Sequence, residues 1–306
     1  IAQLLPFKEI RMTRIPITSR LHQTSLLVIA IGAASTLVAC GGPVPYGVSL
    51  TKTSGQTGSG GPINLSTNAS GAGSGSTGAG GGNGCNNVVQ AVIRDFRGWA
   101  SSASDPGGAA DKHPDFEPAV KTAEKGIAAS TLGSDQKPAF GNNPVRTVTS
   151  ADTFSQWYRD VDGVNMRFET PLPLTPDPND PTSLTYNNQT YFPIENQGWG
   201  NQGQTHNYSF TTEIHTTFTY KGGESFTFIG DDDVFVYVNN QQVIDLGGIH
   251  NAQTGVVNFD QQAATLGITK GQTYNMDIFH AERHVTQSHF RMETKFECLT
   301  SYIIPY

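Results

Sequence analysis

This sequence has fewer positively than negatively charged residues. The 306 residues contain 19 Lys and Arg against 26 Asp and Glu, which gives a net charge of -7. Four of the basic residues and one of the acidic residues lie within positions 1–39, so the remainder holds 15 basic and 25 acidic residues and a net charge of -10. This deficit argues against nucleic acid or anionic lipid as a partner. It is compatible with cation binding and equally with solubility alone.

Common catalytic motifs are missing as well. The sequence contains no nucleophile elbow, phosphate loop or zinc-protease motif. Paired carboxylates for glycoside hydrolysis need a defined separation, which a sequence does not supply. We therefore predict that the protein is not an enzyme. Charged residues are only 15% of the chain while glycine numbers 34, a composition that favours an all-β surface protein over a helical cytosolic enzyme.

The first forty residues have the pattern of a bacterial lipoprotein signal. Arg14 and Arg20 form a basic region, and residues 26–38 are apolar. Residues 37–40 (LVAC) match a lipobox, which predicts Cys40 as the lipid acceptor. The alternative is a single transmembrane helix, but the apolar run is shorter than the roughly 20 residues that a span needs.

Composition divides the chain into three predicted parts. Residues 1–39 are upstream residues plus the signal peptide, with Met12 as its expected start. Residues 40–84 are the lipidated cysteine and a flexible, disordered linker rich in Gly and Ser. Residues 85–306 are the folded domain, which we expect to be monomeric. Gly41 rather than Asp follows the cysteine, so we predict a lipid-anchored protein of the outer membrane or bacterial cell surface.

Cysteine is rare, and its placement is informative. Only three cysteines are present. If Cys40 carries lipid, Cys85 and Cys298 remain, and they bracket the predicted folded region. In an oxidising compartment this arrangement predicts a disulfide between them. Two free buried thiols are the alternative.

Strand signals dominate the folded region. The first predicted strand is 88–96, residues 97–150 and 171–182 are predicted loops, and a short helix is predicted at 152–158 with Asp152 or Ser150 as its N-cap. Further predicted strands are 208–220, 225–229, 234–238, 242–245, 256–259, 274–279 and 289–296. Short strands without intervening helices predict an all-β fold, an antiparallel β-sandwich with long loops and a short helix.

The most informative motif is FTFIGDDDVFVYVN at 226–239, in which three aspartates interrupt two apolar strands. Adjacent carboxylates repel one another unless they are solvated or share a cation. Asp231, Asp232 and Asp233 bind one ion only if the backbone leaves the strand conformation, by a bend or a cis peptide. Oxygen-only ligands favour Ca²⁺. The alternative is a β-bend whose aspartates cap backbone amides.

Asp245, His250 and Asn251 follow the aspartates and are candidates to complete the site or line its rim. For each of them, a polar turn residue is an equally good interpretation.

His280, Glu282 and His284 alternate, which on a strand would place all three on one face. That pattern raises the alternative of a zinc site. Arg283 would point to the opposite face, where it is a candidate partner of the aspartates.

Other polar and aromatic residues are predicted to be structural. His206 and His215 are interpreted as structural histidines. Residues 160–165 (DVDGVN) lack the ligands of an EF-hand loop and are predicted to form a turn. The three tryptophans are predicted core or loop anchors: Trp99, Trp157 and Trp199.

Seven segments occur in order along the predicted folded region. They are RDF at 94–96, HPDFE at 113–117, FSQWY at 154–158, HNYSFT at 206–211, GDDD at 230–233, DLGGIH at 245–250 and FHAERH at 279–284. Together they resemble the fibro-slime domain, a branch of the β-sandwich superfamily first seen in anthrax protective antigen and shared with yeast flocculins. The resemblance spans about residues 88–297.

The resemblance implies an extracellular module, because such relatives include secreted slime-mould factors and surface proteins of fibre-degrading bacteria. In the flocculins, two aspartates joined by a cis peptide hold Ca²⁺ that binds sugar hydroxyls. Asp231 and Asp232 match that pair, and Asp233 is an addition to it. The metal candidates are therefore Asp231, Asp232, Asp233 and Asp245, and the ligand-binding candidates are His250, Asn251, His280, Glu282 and Arg283.

Three functions follow as hypotheses. The first is a tethered, calcium-dependent module that binds a polysaccharide or matrix glycan. The second is a structural envelope or slime protein in which calcium only adds rigidity. The third is a metal-dependent hydrolase built on the face with His280, Glu282 and His284. The first is our prediction.

Overall fold

A computed structural model describes residues 87–99, 111–141, 143–180 and 182–305. The predicted signal peptide, the lipid acceptor Cys40 and the Gly/Ser linker lie outside these residues. Cys85 also lies outside them, so its pairing with Cys298 stays a prediction.

The described part of the chain contains fourteen strands and two short helices. The strands are β1 (Val88–Phe96), β2 (Ala128–Leu132), β3 (Pro138–Phe140), β4 (Asn165–Pro173), β5 (Thr175–Pro176), β6 (Leu184–Asn188), β7 (Phe210–Thr219), β8 (Ser225–Gly230), β9 (Asp233–Val238), β10 (Gln241–Leu246), β11 (Gln253–Asn258), β12 (Thr273–Glu282), β13 (Phe290–Thr294) and β14 (Leu299–Tyr302). The helices are α1 (Ala151–Ser155) and α2 (Phe259–Leu266).

These strands form two antiparallel sheets. The larger sheet has the order β3-β2-β10-β9-β12-β7-β1-β4, with β14 also paired to β7. The smaller sheet has the order β11-β8-β13-β6-β5. The predicted all-β antiparallel sandwich is confirmed, and the predicted first strand has the observed bounds of β1.

Alternation along the central strands builds two cores. In β9, Val234 and Val236 belong to the cluster between the sheets, whereas Phe235 and Tyr237 belong to a second cluster on the outer face of the larger sheet. All six residues of β9 are buried. The central strands are therefore covered on both faces, which is why they are apolar at nearly every position.

The outer core lies beneath residues 111–141 and 143–164, which we call the covering segment. Phe154 and Trp157 of this segment are fully buried against Phe235 and its neighbours. Helix α1 begins at Ala151 because the Ser150 side chain accepts a hydrogen bond from the Thr153 amide and Thr153 bonds back to Ser150. The covering segment, predicted largely as loop, thus contributes a core of its own.

The structure corrects three predicted elements. The predicted strand 256–259 ends earlier, since Asn258 caps α2 and Phe259 begins that helix, which the sequence analysis missed. Strands β2 and β3 lie within the predicted loop 97–150, and β4 extends into the predicted loop 171–182. Strands this short contain too few residues to show a clear hydrophobic period. Whether they form therefore depends on the neighbouring strands with which they pair.

A buried ion network also lies on the outer face of the larger sheet. Glu213 accepts hydrogen bonds from Arg94 Nη1 at 2.6 Å and from Lys137 Nζ. His215 bridges Glu213 Oε1 at 2.6 Å and Asp277 Oδ1 at 2.7 Å. All five residues are at most 2% exposed. Burial alone would raise the pKa of Glu213. The hydrogen bond from His215 and the charges of Arg94 and Lys137 outweigh burial and lower this pKa to about 2.

The outer core predicts a large effect at Phe154. Phe154→Ala should lower the free energy of unfolding by about 3–5 kcal/mol, because the surrounding side chains cannot close the cavity. Val256, which is 60% exposed, supplies the matched control, and Val256→Ala should change it by no more than about 0.5 kcal/mol. Urea unfolding followed by circular dichroism measures both. Equal stabilities of the two variants would show that the covering segment is not packed on the sheet.

The ion network predicts a pH dependence. The pKa of Glu213 is lowered from its usual 4.5, so its stabilisation is present above that value and is lost as the pH falls towards about 2. Near neutral pH, Glu213→Gln should cost about 3–5 kcal/mol because positive charges stay buried without their partner.

The difference between wild type and Glu213→Gln should narrow as the solution is acidified, which urea unfolding over a pH series will show. Glu169→Gln, at an exposed ion pair with Arg167, is the control and should have little effect. If the difference in unfolding free energy between wild type and Glu213→Gln stays constant as the pH falls to about 2, the lowered pKa of Glu213 is wrong.

Candidate functional site at the aspartate turn

Three aspartates, which we call the aspartate turn, connect β8 to β9. Asp231 and Asp232 lie between the strands, Asp233 begins β9, and the Asp231–Asp232 peptide bond is cis. Their exposed fractions are 2%, 4% and 0%. Gly230 is required before them, since a Cβ there would lie 2.7 Å from the carbonyl oxygen of His289.

The carboxylates of Asp231 and Asp232 accept hydrogen bonds from nitrogen donors of two loops, one after β10 and one after β12. Asp231 accepts from the His289 amide at 2.5 Å, and its other oxygen lies 2.9 Å from His289 Nδ1. Asp232 accepts from the amides of His250 and Arg283, both at 3.1 Å. The turn is therefore held to the loops that follow β10 and β12.

Asp233 turns to the opposite face and forms a buried ion pair with Arg283. Arg283 Nε donates to Asp233 at 2.6 Å, and the Gly248 amide donates to the other Asp233 oxygen at 2.6 Å. Arg283 Nη1 donates at 2.8 Å to the carbonyls of Asp115 and Thr147 in the covering segment. Because Arg283 is 0% exposed, it joins the segment to the sheet rather than facing a ligand outside.

Glu282 adds a further carboxylate beside the turn. It is 0% exposed, and Oε2 has no hydrogen-bond partner among the described residues. Burial and the charges of Asp232 and Asp231 raise its pKa well above the usual range. Burial and the neighbouring Asp233 likewise raise the pKa of Asp232. Arg283 is the cation that opposes these charges within the cluster, so the cluster carries excess negative charge when ionised.

His280 lies on the inner face of the larger sheet. Its ring packs edge-on against Tyr191 and Phe290, and Nε2 donates to the Asp231 carbonyl at 2.7 Å. Burial lowers its pKa to about 4, so the ring is neutral. Its role in this arrangement is to hold the backbone of the turn.

His284 does not join His280 and Glu282 on one face. Strand β12 ends at Glu282, and His284 Nδ1 lies 2.7 Å from Glu117 of the covering segment. Glu117 also accepts from the Val285 amide at 2.6 Å. The zinc alternative depended on that common face, which the structure does not form.

Asp245, His250 and Asn251 take different positions around the turn. Asp245 accepts from the Gly126 amide at 2.8 Å, and burial raises its pKa. His250 presents its amide to Asp232 while its ring bonds backbone carbonyls at 2.9 and 3.1 Å. Asn251 is exposed. His250 is thus the residue of these three that contacts the turn, and the assignment of all three stays a prediction.

Several predicted structural roles agree with the structure. Trp157 is fully buried, His215 belongs to the ion network, and residues 160–165 form a turn. Trp199 is half-buried beneath Arg97, whose guanidinium lies 5.0 Å from the ring centre. Trp99 is 39% exposed.

Sequence analysis missed His289 and Glu117. Both act across long sequence distances, His289 on Asp231 and Glu117 on His284. Glu117 lies within the HPDFE segment that carries the family resemblance, which was the available signal. His289 lies at the end of a predicted strand, and nothing in its local pattern indicates a partner 58 residues away.

No group of three or more His, Cys, Asp or Glu side chains among the described residues is arranged to hold a metal ion. No helix of the described part is long and apolar enough to cross a membrane.

Comparison with known proteins identifies related domains. Residues 173–301 match the PA14 domain. Protein psiR of Dictyostelium discoideum is 39% identical over 205 residues, which cover 61% of this chain and 20% of psiR. Protein psiJ of the same organism is 35% identical over 244 residues, which cover 70% of this chain and 31% of psiJ. The chain therefore spans less than half the length of these curated relatives.

Solved structures were compared as well. A PA14 sugar-binding domain from an RTX adhesin aligns with a TM-score of 0.29 and 10% identity, covering 70% of this chain and 95% of that one. The PA14 domain of the antifreeze protein MpAFP aligns with a TM-score of 0.24 and 10% identity, covering 75% and 93%.

The ion pair of the aspartate turn predicts a specific sensitivity. Arg283→Met keeps much of the side-chain volume but leaves Asp233 buried without its cation, which should lower the free energy of unfolding by about 3–5 kcal/mol. Arg291→Met is the matched control, because Arg291 pairs with Glu293 at a partly exposed site and should contribute less than about 1 kcal/mol. Urea unfolding measures both. Similar losses in the two variants would remove the central role assigned to Arg283.

Proposed function

We propose that this chain, in which residues 173–301 match the PA14 domain, is an extracellular binding module that recognises carbohydrate with the help of Ca²⁺ at the aspartate turn. The module would act in adhesion, directed at a polysaccharide or matrix glycan, rather than as an enzyme. With Cys40 as lipid acceptor and residues 41–84 as a tether, it would be displayed at a bacterial cell surface.

The observation that carries the proposal is the charge balance of the turn. Asp231, Asp232, Asp233 and Glu282 are all nearly inaccessible, and the one cation within the cluster is Arg283. Buried carboxylates need a cation, a proton or hydrogen-bond donors to offset lost hydration. Asp233 pairs with the guanidinium, so Asp231, Asp232 and Glu282 are left with backbone donors, one histidine and the side chain of Ser288.

The donor chemistry fits calcium. Asp231, Asp232 and Glu282 supply only oxygen, the ligand type that Ca²⁺ prefers, and Glu282 Oε2 is an orphaned buried acceptor. These three residues would supply the ligands after a local rearrangement, because no three described His, Cys, Asp or Glu side chains are arranged around a common point for a metal, and Asp233 is committed to Arg283. Bound calcium would neutralise the excess charge and offer coordination positions to vicinal hydroxyls, as the resemblance to the flocculins implies.

A structural module is the second candidate. It is favoured by the hydrogen bonds of the turn, since every carboxylate oxygen of Asp231, Asp232 and Asp233 already lies within hydrogen-bond distance of a nitrogen donor. In that case the aspartates would only shape the loop between β8 and β9.

Calorimetric titration with CaCl₂ separates the two candidates. Wild type should bind Ca²⁺ with a dissociation constant on the order of 10⁻⁴ to 10⁻³ M, the range of extracellular modules. Its melting temperature should rise with calcium, because the ion binds the folded state. Asp232→Asn should abolish both effects, since it removes a charged ligand but keeps the side-chain shape.

Asp162→Asn is the control for this titration. Asp162 is exposed in the DVDGVN segment, so its substitution should leave calcium binding unchanged. Loss of calcium binding in this variant would indicate that the ion binds at the DVDGVN segment rather than at the aspartate turn. Absence of binding in wild type would reject the calcium mechanism and leave the structural module.

A further inference from the structure

A cleft of about 250 Å³ lies beside the aspartate turn, between the segment that follows β6 and the loop that joins β12 to β13. Aromatic rings form one wall. The rings of Phe192 and His206 are stacked, with centroids 4.1 Å apart and planes 4° apart, and Tyr208 meets both rings edge-on. The His206 side chain is 42% exposed, so the wall presents a ring to solvent.

Hydrogen bonds to Asp95 and Glu195 hold the aromatic wall and its neighbouring residues in place. Asp95, at the end of β1, accepts hydrogen bonds from the Trp199 amide at 2.6 Å and from Asn207 Nδ2 at 2.9 Å. Gly198 has φ of 60° and a Cβ there would lie 2.1 Å from Asp95 Oδ2, so this approach requires glycine. His206 is also positioned by Glu195, 3.2 Å from Nδ1. Fixed walls reduce the ordering cost of binding.

The opposite wall is polar and uncharged. Thr286 and Gln287 are exposed there, and the Gln287 side chain makes no hydrogen bond to another described residue. Apart from His206, Tyr208 and His289, no ionisable side chain is among the described residues that line the cleft. A charged ligand would find no lysine, arginine or carboxylate side chain among these lining residues.

The cleft is connected to the aspartate turn through His289. His289 lines the cleft, and its Nδ1 lies 2.9 Å from the Asp231 carboxylate. Its amide donates to the same carboxylate. A ligand that contacts His289 therefore contacts the residue that positions Asp231.

We propose that this cleft is a saccharide subsite, in which one neutral pyranose ring packs its C–H face on His206 while its hydroxyls bond to Thr286, Gln287 and His289. Apolar ring faces and uncharged donors and acceptors match the two surfaces of a sugar. The volume falls below the roughly 300–1,000 Å³ of pockets for drug-sized ligands and suits a single ring. This inference rests on the proposed function, because it names where the glycan is read beside the calcium ion.

The test uses an array of neutral oligosaccharides that contain glucose, galactose, mannose or N-acetylglucosamine, probed with the full chain in CaCl₂. The affinity of the strongest-binding glycan is then measured by calorimetry. His206→Ala and Gln287→Ala should each weaken binding about tenfold, the equivalent of one lost stacking or hydrogen-bonding contact. His206→Phe keeps a ring and should retain most of the affinity.

Gln261→Ala is the matched control, because Gln261 is exposed on α2. That helix follows Asn258, which pairs with Ser225 at the opposite end of β8 from the aspartate turn. Its substitution should leave binding unchanged. The melting temperatures of all variants are measured first, and binding is compared at a temperature at which each variant is folded.

Three results would overturn the subsite. If His206→Ala and Gln287→Ala bind as wild type does while Asp232→Asn loses binding, the glycan is read at the aspartate turn alone and the proposed function survives. If wild type binds Ca²⁺ but no neutral glycan, both the subsite and the carbohydrate function fail. If Gln261→Ala weakens binding equally, the losses do not report on the cleft.

Discussion

The buried guanidinium of Arg283 is the interaction on which this structure depends. It neutralises Asp233, donates to two carbonyls of the covering segment and lies 4.5 Å from the Trp157 ring centre. A guanidinium suits this position because it is planar, permanently charged and supplies several fixed donors. One side chain thus joins β12, the aspartate turn and the outer core. Asp233 pairs with this positive charge. The other carboxylates of the acidic cluster are therefore left without a guanidinium partner.

Both faces of the larger sheet are buried, and this explains why the sheet contains buried charged side chains. Its inner face packs on the smaller sheet, and its outer face carries the ion network centred on Glu213 and His215 beneath the covering segment. Buried charges of this kind are tolerated only when each finds a partner. The same two-sided packing gives β9 and β12 firm positions. The aspartate turn and the loop after β12 therefore project from a rigid edge, as a binding site requires.

In the proposed function, the candidate site and the cleft would supply different parts of the binding chemistry. Asp231, Asp232 and Glu282 concentrate negative charge and oxygen ligands, whereas His206 and its aromatic neighbours offer an uncharged surface for a ring. His289 contacts both, since it lines the cleft and its imidazole lies beside the Asp231 carboxylate. A cation and a sugar would thus meet along one edge of the sandwich.

Sequence alone determined the fold class and the bounds of β1, because alternation within a strand is a local property. It also pointed to the aspartates as candidate site residues, because repulsion between neighbouring carboxylates is equally local. It also anticipated that Arg283 faces away from Glu282, a consequence of strand alternation. It could not show that Asp233 takes Arg283 as its partner while Asp232 takes backbone amides. Nor could it show that His289 reaches Asp231, or that Asn258 ends a strand and starts a helix. Those outcomes depend on which loops meet in space, and only the packing of two sheets and the covering segment decides that.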